Sequence, residues 1–222
     1  SYGASAATLK LPYDPVNDIT PVILLGRAPQ LMAAHPSAGL ASPQELIAHA
    51  KAHPGKLNYG SSGTGGSVHL ATEFLAMTAG IKLTHVPYKG QGPALNDVLG
   101  GQIQLFGGSP MIVYPHVKGA RLRGIGVTSL KRTGAMPEIP AFAEVLPGYE
   151  TYSWQAILGP KGLPREIVMR WNQEINKLLE LPEFRERLAG DSMEPVGGPP
   201  ERFLEMLSSD VAKWKKVVQG SG

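Results

Sequence analysis

The chain has 222 residues, 42% of them hydrophobic and 18% charged, with a net charge of +3 and no cysteine. This is the composition of a folded chain with a sizeable core, and the missing thiols exclude disulfides, thiol catalysis and thiolate metal sites. No apolar run reaches the ~18 residues of a spanning helix, and no basic–apolar leader pattern is read at the start.

The opening "SYGASAATLKLPYDP" carries no element signal and reads as a chain that begins inside a domain. Thr20–His35 is long, mostly apolar and predicted to be extended. "SPQE" at Ser42–Glu45 is a capping box with Pro43 at the first helical position, and it starts a helix. A repeating pattern follows. Strand Lys56–Gly60 leads through "SSGTGG" into a helix at Ser67–Ala79, closed by Gly80. Strand Ile81–Tyr88 leads through "KGQG" into a short helix at Pro93–Leu99, closed by Gly100 and Gly101. Strand Gln102–Gly107 leads through "GSP" into a helix at Met111–Lys118, and Leu122–Ser129 is a further strand. Lys131–Gly148 is proline-rich, a loop with a short helix near Ala141–Val145. Tyr149–Pro160 is a second extended stretch. The rest is helical. Val168, Trp171, Ile175 and Leu178 mark a core face on Pro164–Leu181, and Phe203, Leu207, Val211, Trp214 and Val218 mark another on Glu201–Val218. Lys213, Lys215 and Lys216 read as a solvated face near a helix end, so no nucleic-acid partner is expected.

Strands alternating with helices predict parallel pairing, with every strand-to-helix loop on the carboxyl edge of the sheet, where ligands bind. The loops "SSGTGG", "KGQG" and "GGSP" are therefore expected to converge. Glycines admit close approach to backbone N–H groups, a helix start leaves such groups free, and Ser61, Ser62, Thr64 and Ser67 add hydroxyls. That chemistry suits a carboxylate or a phosphate. Named alternatives fail on spacing. Gly60 and Gly65 fit a Walker loop but Gly66 stands where the lysine belongs; Val68 ends a dinucleotide fingerprint; Thr64 ends a nucleophile elbow. His69 lies in the first turn of its helix, where it either faces the loop or packs. His85 lies inside a strand, Lys89 begins a loop, and Asp97 is read as solvated. No His, Asp or Glu pair has metal-ligand spacing and no base is seen beside a nucleophile, so no catalytic residue, metal or cofactor is expected.

Longer stretches carry a resemblance. "LKLPYDPVNDITPV", "PGKLNYGSSGTGGSVHLATEFL", "THVPYKGQGPALNDVLGGQIQL", "LRGIGVTSLKR", "LPGYETYSW" and "EPVGGPPERFLEML" together resemble, in order, the Bug-type extracytoplasmic solute receptors of tripartite tricarboxylate transporters. The resemblance implies an α/β, type II periplasmic-binding-protein fold: two α/β lobes joined by two crossover strands, with a ligand cleft between them. It places residues 1–30 and 152–222 in lobe one and 31–151 in lobe two. The family's pattern also has a leading segment before Ser1, so lobe one is expected to be incomplete. That would leave the faces around Trp171 and Trp214 short of partners. By the same resemblance the carboxylate site takes Ser61, Ser62, Gly63, Thr64, Gly65, Gly66, Ser67 and His69 from the first loop and Lys89, Gly90, Gln91 and Gly92 from the second. Gly107 and Gly108 complete it, standing where the family often has Asp-Asn. The implied partners are a small carboxylate and membrane permease subunits, and the implied location is periplasmic. Two other readings stay open here: a small-molecule enzyme using the same glycine-rich edge, and a truncated lobe with no ligand binding.

Overall fold

The structure is a computed structural model that describes Tyr2 and residues 10–190 and 192–220. The opening segment read above as lying inside a domain falls outside these residues, except for Tyr2 and Lys10 onward. The chain divides into two compact units. One comprises the described residues up to Ala28 with Ser153–Gly220, and the other is Pro29–Tyr152.

The second unit is built on a five-stranded sheet. Its strands are β2 (Leu31–Ala34), β3 (Asn58–Ser61), β4 (Thr84–Pro87), β5 (Leu105–Gly108) and β6 (Arg123–Val127), in the order β4-β3-β5-β2-β6. β3 pairs in parallel with both β4 and β5, as the alternating pattern predicts. Beyond β5 the expected all-parallel sheet does not continue. β2, the end of the first extended stretch, lies between β5 and β6 and is antiparallel to both. All four of its residues, Leu31–Ala34, are buried, so a strand covered on both faces gives no alternating signal.

Four helices flank this sheet among the described residues: α1 (Pro43–Ala52), α2 (Ser67–Ala79), α3 (Gln91–Leu99) and α4 (Pro110–Lys118). α1 starts as its capping box dictates. Ser42 Oγ accepts from Glu45 N at 3.2 Å, and the Glu45 carboxylate reaches back to accept from Ala41 N at 2.6 Å, one residue earlier than the usual box. α2 runs over the predicted residues and ends at Gly80, whose left-handed backbone (φ 62°) satisfies the last carbonyls. Its Leu70 and Leu75 are fully buried, each contributing about 1.5–3 kcal/mol. α3 starts two residues earlier than predicted, so Gln91 and Gly92 are helical rather than loop. Gly107 and Gly108 belong to β5 and are buried, not part of the third loop. Apolar clusters lie on both faces of the sheet, one around Tyr59, Leu75 and Phe142, the other around Phe106, Val113 and Val127.

Both chain connections of this unit are fastened at one buried residue, Thr128. Its N–H donates to Gln30 O (3.0 Å) and its carbonyl accepts from Thr151 N (2.9 Å). Its Oγ1 accepts from Gln30 N at 2.8 Å and donates to Thr151 O at 2.7 Å.

The first unit holds a three-stranded antiparallel sheet, β7 (Ser153–Pro160), β1 (Ile19–Ala28) and β8 (Glu194–Pro195), in that order. α5 (Arg165–Glu180) and α6 (Pro182–Gly190) pack around Val22 and Ile23, and α7 (Pro200–Gly220) packs around Leu24. The predicted face of α5 is wrong by one position. Val168, Asn172, Ile175 and Leu179 are buried, whereas Trp171 is 56% exposed and Leu178 44% exposed. Asn172 turns inward because its amide N–H groups donate to two backbone carbonyls, Val22 O at 2.9 Å and Gly198 O at 2.8 Å. On α7, Phe203, Leu207, Val211 and Trp214 form the face as expected, with Val217 buried instead of Val218. Trp214 is 2% exposed, so its face is not short of partners; the one around Trp171 is open.

Candidate functional site

The three βα loops start from neighbouring parallel strands and so lie on one edge of the second unit. The first two are tied together through the backbone. Tyr88 N donates to Ser61 O at 3.1 Å, and Gly90 N donates to Ser62 O at 3.2 Å. Such a path requires left-handed turns at Gly63 (φ 136°) and Gly90 (φ 109°), which side chains disfavour. A β-carbon on Gly60 would stand 2.6 Å from Ile103 Cδ1, so close packing holds the end of β3 in place.

The helices that follow these loops differ from α1. The N-caps of α2, α3 and α4 are Gly66, Gly90 and Ser109. None supplies a side-chain hydrogen bond, and none of the three first turns holds an acidic residue. The leading N–H groups of α2 and α3 carry the positive end of the helix dipole with no carboxylate against it, whereas α4 opens on Pro110, which has no N–H. Around them, Thr64 and Lys89 are exposed, Ser62, Gly63, Gly66, Ser67, Gly90 and Gln91 are half-buried, and Gly65 is buried.

Sequence reasoning missed how the polar side chains are engaged. Ser61 is fully buried, and its Oγ lies 2.6 Å from His85 Nε2. A hydroxyl beside an imidazole was not anticipated, because the two sit on adjacent strands 24 positions apart. Gly63 encloses the same oxygen: its N–H donates to Oγ and its carbonyl accepts from it, both at 3.2 Å. The hydroxyl thus braces its own loop. His85 stacks between Tyr59 and His69, with ring centroids 4.9 and 4.1 Å away. Burial, and next the neighbouring His69, lower its pKa to about 4. His69 does face the loop: Gly65 N donates to its Nδ1 at 3.1 Å. Burial also lowers the His69 pKa, against a smaller opposing pull from Glu73. Two neutral imidazoles therefore line the base of the first loop. Asp97, read as solvated, accepts instead from Tyr88 Oη at 2.7 Å and anchors the second loop to α3.

Gly107 and Gly108 contribute closeness rather than contact with solvent. A β-carbon on Gly107 would lie 2.8 Å from Val68 Cγ1, and one on Gly108 would lie 2.9 Å from Gln91 Oε1 and Phe106 Cε1. No group of three or more His, Cys, Asp or Glu residues suited to a metal occurs among the described residues.

An edge of parallel strands with N–H-rich loops and helix starts free of acidic residues is, by its chemistry, suited to an anion within an α/β fold. Comparison with known proteins narrows the class. The family described as tripartite tricarboxylate transporter family receptor matches residues 3–222, and the chain belongs to that family. Two curated relatives are an uncharacterised-family protein from the tcbD–tcbE intergenic region of Pseudomonas sp. strain P51 and protein BugT of Bordetella pertussis. The first is 35% identical over 94% of this chain and 63% of its own length, the second 30% identical over 96% and 65%. The chain thus spans just under two thirds of these relatives. Among solved structures, R. palustris Rpa4515 with adipate is 33% identical with a TM-score of 0.88, over 99% of this chain and 75% of that one. MatC of Rhodopseudomonas palustris with bound malate is 25% identical with a TM-score of 0.84, over 98% and 76%. The periplasmic binding protein BugD is 27% identical with a TM-score of 0.85, over 100% and 76%. The chain has the α/β fold of these solute-binding proteins.

Proposed function

We propose that this protein is an extracytoplasmic solute receptor, working in the periplasm, that captures a small carboxylate and delivers it to the membrane permease subunits of a tripartite tricarboxylate-type transporter. The three loops described here, on one sheet edge of the second unit, form the ligand-holding surface in this reading. One observation carries the reading. At α1 the helix start is capped by Ser42 and Glu45; at α2 and α3, on one sheet edge, both N-caps are glycines that supply no side-chain bond, and neither first turn holds an acid. A carboxylate supplies what those N–H groups lack. Adipate and malate in two structurally similar proteins support the same ligand class. Binding there needs no proton transfer, which agrees with imidazoles kept neutral and a serine held by its own loop.

Thr64→Glu tests this. Thr64 is exposed in the first loop, so the substitution leaves the packing intact and sets a negative charge among the donors. Calorimetry against mono- and dicarboxylates is expected to show about tenfold or greater loss of affinity. Unchanged affinity would remove the loop from the site.

A further inference from the structure

We infer that Gln91 is the specificity-determining side chain of this site, presenting a fixed amide donor to a ligand oxygen; the inference rests on the reading just given. Gln91 is the first residue of α3, reached through the left-handed turn at Gly90. Its Oε1 accepts from Ser109 N at 3.2 Å, across from the second loop to the third. A backbone N–H can only donate, so the atom facing it must be the carboxamide oxygen, and the orientation of the amide is thereby settled. Gly108 makes room for this arrangement: any larger residue would place its β-carbon 2.9 Å from that same oxygen.

The consequence lies at the other end of the group. With Oε1 committed, the remaining polar atom is Nε2, which makes no hydrogen bond among the described residues, on a half-buried side chain. Nε2 carries two hydrogens and no lone pair for acceptance, so it is matched by a carboxylate oxygen and mismatched by an ammonium group. A lysine there would bring a mobile charge, and a glycine would bring nothing. Glutamine brings an oriented, neutral donor, which distinguishes ligands by what they place opposite it. His69 follows the same logic: Gly65 N–H occupies Nδ1, so the neutral ring carries its proton on Nε2. In both side chains a backbone donor consumes the acceptor and leaves the donor facing outward from that bond.

The test is Gln91→Glu, which keeps an oxygen for Ser109 N–H but replaces the donor with an anionic acceptor. Titration calorimetry of the whole chain would use adipate, malate and 6-aminohexanoate. Wild type is expected to bind a dicarboxylate more tightly than the amino acid. Gln91→Glu is expected to lose dicarboxylate affinity about tenfold or more and to shift the adipate-to-6-aminohexanoate ratio toward the amino acid. Gln91→Met, neutral and similar in length, is expected to weaken adipate several-fold with a smaller shift in the ratio. Thermal melts accompany both variants, and the Met variant decides the matter if the Glu variant does not fold. An unchanged ratio in the folded variants, with wild type still binding dicarboxylate, would overturn the role of Gln91 and leave the carboxylate reading intact. Wild type binding neither dicarboxylate would overturn that reading, and this inference with it.

Discussion

Thr128→Val replaces one hydroxyl by a methyl group of nearly the same volume at a site that is 4% exposed. The hydroxyl serves two partners at once, accepting from Gln30 N at 2.8 Å and donating to Thr151 O at 2.7 Å. Valine keeps the backbone bonds of residue 128 and suits extended backbone, so neither strain nor a cavity contributes. The cost comes from the two stranded groups. Each buried polar group left without a partner costs about 1–3 kcal/mol, so the substitution is expected to cost about 2–6 kcal/mol, a large share of a typical domain's stability. Urea unfolding followed by circular dichroism would measure it, with Thr133→Val as the control. The Thr133 Oγ1 is buried and makes no hydrogen bond, so that substitution removes only an unmet polar atom and is expected to be neutral or stabilising. A loss under about 1 kcal/mol at Thr128, or equal losses at both threonines, would refute the assignment of Thr128 as the fastening point.

Two further outcomes are expected. Asn172→Leu is expected to destabilise by about 1–3 kcal/mol, because Val22 O loses its side-chain donor while Gly198 O keeps only the longer bond from Asn176 Nδ2 at 3.3 Å, whereas Trp171→Lys on the neighbouring exposed position stays within about 0.5 kcal/mol; chemical denaturation compares them, and the reverse ranking would restore the face read from periodicity. For pH, the folded-state pKa of His85 lies below its unfolded value, so the unfolded chain binds the extra proton and stability falls as pH drops from about 6.5 toward about 4. His85→Gln is expected to flatten that slope in melts taken between pH 7 and about 5, and an identical slope would show that other groups carry it.

The sequence reading succeeded where a short-range rule governs. α2 was bounded correctly because a run of small residues precedes it and Gly80 follows it, and both signals act within a turn or two. The cap on α1 was legible for the same reason. It failed where a distant partner decides. β2 is four residues long, and its place between β5 and β6 is set by pairing with residues more than 70 positions away. Trp171 and Asn172 exchanged roles because hydropathy ranks tryptophan above asparagine, while the structure needed a donor for the buried Val22 carbonyl and the part-buried Gly198 carbonyl. At the site, the donor-rich loops were visible as glycine and hydroxyl spacing. The Ser61–His85 contact and the Gln91–Ser109 bond were not, since each joins different strand–loop segments.

The bonds around Thr128 also say something about how the second unit is strung. Gln30, near its first residue, and Thr151, near its last, both hold the same side chain, so the beginning and end of Pro29–Tyr152 lie within a few ångströms of one another. In genetic terms the unit is a self-contained insert, its ends already adjacent. A short linker between residues 152 and 29 would close it into a ring, and new termini could be opened at an exposed turn such as Gly80 without stretching any strand. Such permutants would let the loop-bearing unit be produced and titrated as an object of its own.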